Sequence, residues 1–158
     1  MRAALQFKNY HVLETIYKLN PFFAGESKFE DPQLFFKLDV NPDTVKQAAI
    51  ILGIELGDES LETTPYYVKA RILGLFDIES EGLTKKQILS LYKFNGVAIL
   101  FPYLRSLVSD LSCKGSDAPI IIPTINIASM INEADEDAKA KKENETVDVS
   151  KEILEKNP

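Results

Sequence analysis

The chain has one cysteine, one histidine and no tryptophan among its 158 residues. A lone Cys113 allows no internal disulfide, and one Cys with one His cannot supply the ligands of a zinc site. His11 falls in the middle of a strand-like run, and no serine or cysteine stands in a nucleophile motif. The convergent acid, base and nucleophile of a catalytic site are therefore missing from the pattern. Cys113, near the end of an apolar helix, is expected to pack as a small hydrophobe. Gly53, Gly57, Gly74 and Gly96 do not cluster into a phosphate loop or a dinucleotide fingerprint. The reading is a non-enzyme with no cofactor and no metal.

Long apolar runs are also missing. The longest, Val97 to Phe101 and Ile120 to Ile122, fall well short of the roughly 20 residues a membrane span needs. The N-terminus shows no basic start followed by an apolar run and a small-residue cleavage site. A reduced, cytoplasmic protein without direct membrane insertion is expected. The net charge is −6, the opposite of the basic face that a nucleic-acid binder presents to phosphate. From Glu133 onward nine acidic residues accompany five basic ones, a net −4, which leaves −2 for the first 132. The expected division is a near-neutral domain over 1–132 and a charged helical or disordered tail over 133–158, whose composition beyond about Glu143 is charged and poor in aromatics, with too little apolar surface to offset ordering.

The signals present are those of an α+β chain: strands first, then helices. "LQFKNYHVLETIYKL" reads as a strand with Val12, Glu14, Ile16 and Lys18 on one face. In "LFFKLDV", Leu34, Phe36, Leu38 and Val40 alternate with Phe35, Lys37 and Asp39, and "NPD" supplies a turn. "TVKQAAIILGIELGDE" places Ala48, Ile50, Leu52, Ile54 and Leu56 on one side, and "YYVKARILGLFDI" is a further strand. These four predict an antiparallel sheet. The intervening "NPFFAGESKFEDP" is too long for a tight hairpin and is expected to cross over the sheet.

After Gly82 the period becomes helical. Thr84 and Gln87 are spaced as a capping box, and Ile88, Leu91, Tyr92, Ile99 and Tyr103 follow at helical intervals. Gly115 is expected to close this long helix. Inside it, "AILFPYLRSL" carries Pro102, which removes a donor and presses on the carbonyl of Ala98 at a cost of roughly 3 kcal/mol. Asn95-Gly96 is a second weak spot, so a kink is expected. "APIIIPTIN" is extended, and "IASMINEADEDAKAKKENE" can form a second, C-terminal helix.

Nine Phe and six Tyr exceed what one sheet face and two helices easily bury. Aromatics fall on both faces of "LFFKLDV", and "NPFF" puts two in a loop. Such apolar surfaces mark oligomer or client contacts. The residues expected at such a surface are Phe22, Phe23, Phe29, Leu75, Phe76, Ile78, Met130 and Ile131, the methionine being adaptable to varied apolar partners.

The run "NGVAILFPYLRSLVSDLSCKGSDAPIIIPTINIASMI" resembles the SecB family of export chaperones. Leu100, Phe101, Pro102, Tyr103 and Arg105 match the family's helix core, Lys114-Gly115 its turn and Asn126-Ile127 its second helix start. "KLDVNP" and "GLFDI" extend the resemblance over about residues 5–131. It implies a SecB-like fold, dimers joining into a homotetramer through the long helix, and ATP-independent capture of unfolded polypeptides in grooves framed by the crossover segment and second helix. Family members that deliver clients to the SecA motor use an acidic patch on the sheet. By resemblance Glu14 keeps one acid of that patch, Lys18 and Lys69 stand where acids are usual, and Arg71 adds a further positive charge. Reversed charges at a docking rim weaken steering. Three readings stay open: an export chaperone, a SecB-like chaperone dedicated to one partner such as an antitoxin, and a structural oligomer without client binding.

Overall fold

The computed structural model describes residues 4–114 and 119–136. Four strands, β1 (Leu5–Leu19), β2 (Gln33–Val40), β3 (Gln47–Gly57) and β4 (Tyr66–Ile78), form one antiparallel sheet in the order β1-β4-β3-β2. The first and second strands are thus opposite edges, and residues 20–32 must cross between them, as their length implies.

Alternation fixes the two faces of the sheet. In register, Leu38, Ile50 and Gly74 form one cross-strand row, and Phe36, Leu52 and Ile72 the next. This face carries the core, with Ile50, Leu52, Ile54, Ala70, Ile72 and Phe76 almost fully buried. Burying each large aliphatic side chain is worth roughly 1.5–3 kcal/mol. The opposite, outer face carries Phe35, Gly53, Arg71 and Glu14 in one row.

One expectation for β1 fails. The strand shifts register between Val12 and Glu14, a β-bulge that inserts one residue and flips the alternation. Val12 therefore pairs with Ile72 on the helix side, while Glu14, Ile16 and Lys18 pair with Arg71, Lys69 and Tyr67 on the outer face.

Helix α1 (Lys85–Ser90) starts at Thr84, whose hydroxyl accepts from Gln87 N at 3.3 Å while Thr84 N donates to Gln87 Oε1 at 2.8 Å. This is the expected capping box. A π-helical turn, Leu91–Gly96, leads directly into α2 (Val97–Cys113). The irregular turn thus ends at one weak spot, Gly96. Its benefit is proximity, since a Cβ at Gly96 would stand 2.4 Å from Ile50 Cδ1. Pro102 remains within α2. Both Pro102 and Ala98 are exposed, so the carbonyl that loses its helical donor faces outward, away from the core.

Helix α2 packs over β3, β4 and β1 through Val97, Leu100, Phe101, Leu104 and Val108. Cys113, its last residue, is exposed rather than packed, because the buried stripe has already passed at Ser112. Ser112 Oγ accepts from Ile120 N at 2.8 Å, and Ser109 Oγ donates to Ile120 O at 2.9 Å. These bonds pin the extended stretch that follows and seat Ile122 in the core. Gly115 and the tail beyond residue 136 lie outside the described residues.

The chain divides into two compact units, residues 1–125 and 126–158. In the second, residues 127–136 form helix α3. Asn126 Oδ1 accepts from Ser129 N at 3.2 Å, the N-cap arrangement expected of an asparagine at a helix start.

Candidate client-binding and docking surfaces

The crossing segment begins with a tight turn. Asn20 Oδ1 accepts from Phe22 N at 3.0 Å, and Asn20 O accepts from Phe23 N at 3.2 Å. With Pro21 fixing φ in the turn, Phe22 projects outward and is 89% exposed; Phe23 is half-buried. Further along, Lys28 N donates to Thr63 O at 3.0 Å, and the Phe29 ring lies 4.7 Å from that of Tyr66. Phe29 remains exposed on its far side. Asn20 N donates to Pro65 O at 2.8 Å, so both halves of the segment are tied to the β3–β4 turn.

That turn is organised by Asp58. Its carboxylate accepts from the amides of Ser60, Glu62 and Thr63 and from both hydroxyls. The Ser60 hydroxyl bond leads in holding this carboxyl well below its ordinary range, with the amides reinforcing it. The aromatic segment thus rests on a turn that is itself locked by hydrogen bonds.

The remaining expected groove residues separate. Leu75, partly exposed, lies on the outer face beside Ala49, where a shallow groove of about 560 Å³ is rimmed by Lys8, Asp39, Gln47 and Asp77. At about 3.3 Å per residue, Leu75 is roughly 30 Å along β4 from Tyr66, so it cannot share one patch with Phe29. Phe76 and Ile78 are buried rather than exposed: alternation turns both side chains onto the helix side, where they are 1% and 4% exposed. Met130 is half-buried and Ile131 fully buried on α3. Exposed apolar groups that the pattern did not single out are Val12 and Leu13 at the β1 bulge, Tyr103 and Ile121.

The four docking residues converge on the outer face. Glu14 Oε2 lies 3.9 Å from both Lys69 Nζ and Arg71 Nη1. Lys18 Nζ pairs with Glu59 at 3.2 Å and sits over the Tyr67 ring. Tyr67 donates to Glu55 at 2.7 Å; burial first, then this bond, push its hydroxyl well above the usual range. Phe35 completes the set without having been foreseen. Its ring lies over Gly53, where a Cβ would meet Phe35 Cζ at 1.9 Å, and carries the Arg71 guanidinium 5.4 Å from its centroid. A glycine in mid-strand signals such close approach, though the partner is not legible from it.

The chain is thus an antiparallel sheet backed by one long helix, with aromatics presented on the segment that joins its edges. The family model described as preprotein translocase subunit SecB matches residues 20–138, and the chain belongs to the SecB family. An uncharacterised protein of Methanocaldococcus jannaschii is 29% identical over 91% of this chain and 95% of its own length. The protein-export protein SecB of Alcanivorax borkumensis is 33% identical over 53% of this chain and 52% of its own. That of Anaplasma phagocytophilum is 26% identical over 59% and 63%. The chain thus aligns with about half to two thirds of these two export proteins. Its fold is similar to that of the Mycobacterium tuberculosis SecB-like chaperone solved with a ChAD peptide from the HigA1 antitoxin, at TM-score 0.58 and 16% identity, covering 78% of this chain and 91% of that one. Family and fold together support a chaperone function. Among the described residues no helix is long and apolar enough to cross a membrane.

Proposed function

We propose that the protein is an ATP-independent holdase that captures unfolded or pre-export polypeptides on apolar surface centred on the crossing segment. The observation that carries this is Phe22, 89% exposed on a turn whose hydrogen bonds hold it outward. An aromatic ring fixed in solvent gives nothing to the fold, and it offers sequence-tolerant apolar contact to an extended chain at low ordering cost. Phe29 extends the same strip, while the outer edges of β1 and β2 offer backbone groups to a strand-like client.

Assembly into dimers and then a homotetramer through the outward face of α2 is part of the same reading. Delivery to SecA is the weaker component, because by resemblance Lys18 and Lys69 stand where acids are usual and Arg71 adds a further positive charge beside Glu14. A chaperone dedicated to a partner such as an antitoxin is the second reading. It is favoured by the complex in which the Mycobacterium tuberculosis relative was solved.

Light scattering of a chemically unfolded client diluted into buffer without nucleotide tests capture. Suppression of aggregation at near-stoichiometric chaperone is expected, and unchanged aggregation at excess chaperone defeats the proposal.

A further inference from the structure

We propose that Lys69 and Arg71 form a docking site for an acidic polypeptide segment on the outer face of the sheet, separate from the client surface.

Both cations rely on one carboxylate oxygen, Glu14 Oε2, and each stands 3.9 Å from it, too far for a hydrogen bond. Arg71 Nε is enclosed with no hydrogen-bond partner. Of the five N–H donors of the guanidinium, the Nε–H is thus unspent, and Nη1 meets Glu14 only at ion-pair range. Of the other acids nearby, Glu55, opposite Lys69 across the β3–β4 register, accepts from Tyr67 at 2.7 Å, and Glu59 accepts from Lys18 at 3.2 Å.

The site is also built. Gly53 admits the Phe35 ring directly over the β3 backbone, and that ring supports the guanidinium from below. A supported, planar fork loses little freedom on gripping a carboxylate, which favours Asp or Glu side chains over a diffuse field. Lys69 and Arg71 remain 30% and 38% exposed, so a ligand reaches them. Half-buried Ile16, Ile51 and Leu73 on the same face give an acidic segment an apolar bed. Where a SecA-type docking patch offers negative charge, this one offers a pair of under-satisfied cations, and the partner it fits carries the opposite sign.

The test is fluorescence anisotropy of the full chain with a labelled peptide of alternating glutamate and alanine, and its lysine-alanine counterpart as control. The glutamate peptide is expected to bind and the lysine peptide not. Replacing Lys69→Gln and Arg71→Gln together should weaken binding roughly tenfold or more, and added salt should weaken it in the parent. Gly53→Ala, which displaces Phe35 without altering charge, should weaken it several-fold, an effect that long-range charge alone would not produce. If the double variant does not fold, Arg71→Lys, which keeps the charge and loses the fork, decides: equal affinity overturns the site. Equal binding of the two peptides in the parent, or unchanged affinity in the double variant, overturns it as well. A parent that binds the glutamate peptide but holds no unfolded client removes the holdase reading and leaves this one intact.

Discussion

Leu100 of α2 occupies the space above Gly74 of β4. A Cβ at Gly74 would lie 2.6 and 2.7 Å from the two Leu100 methyls and 2.9 Å from the Phe76 ring. The glycine is there to let the helix down onto the sheet, and both partners are essentially inaccessible to solvent. Gly74→Ala is expected to cost about 1–3 kcal/mol by overpacking, and Leu100→Ala about 2–5 kcal/mol by cavity formation. The double variant should cost less than the sum, since the new methyl fills part of the hole. Chemical denaturation of the three variants checks this. Simple additivity would mean the two residues do not share the space.

Pro102 and Ala98 lie together on the exposed side of the helix. Pro102→Ala restores the donor to the Ala98 carbonyl, so the melting temperature of the individual fold is expected to rise. Oligomer size by sedimentation is expected to change, because this face is the proposed assembly surface. A raised melting temperature with unchanged size would take the helix face out of the interface.

Asp58 gives the fold an acid dependence. Its folded pKa is depressed below the ordinary 3.8, so its stabilisation is complete above that value and is lost as pH falls through it toward the lower folded value. Asp58→Asn should lower the melting temperature at neutral pH, and the gap to the parent should close below about pH 4. A gap that stays constant from neutral pH into acid would mean the carboxylate charge plays no part in the turn.

Strand and helix identities were legible in the sequence because alternation and helical periodicity are local. Leu34, Phe36, Leu38 and Val40 share a face as read, and Thr84 caps the helix as read. The β1 bulge was not legible. It depends on how "HVLET" meets β4, and one inserted residue put Val12 and Glu14 on opposite faces. The burial of Phe76 and Ile78 was not legible for a related reason. "GLFDI" shows which residues are apolar, while the side of the sheet that α2 covers is settled only by packing. The docking residues were individually visible through the family resemblance, yet their support by Phe35 over Gly53 depends on β2 lying beside β3 in a register that no local pattern states.

The central claim rests on Phe22. Binding of a fluorescently labelled, permanently unfolded polypeptide is best measured for the parent and for Phe22→Ser/Phe23→Ser, with the melting temperature of each. Since Phe22 is 89% exposed, substituting it should hardly affect stability, and half-buried Phe23 should add only a modest loss. A clear fall in client affinity with the fold retained is the expected result. A folded double variant that binds the client as tightly as the parent would contradict capture at the crossing segment.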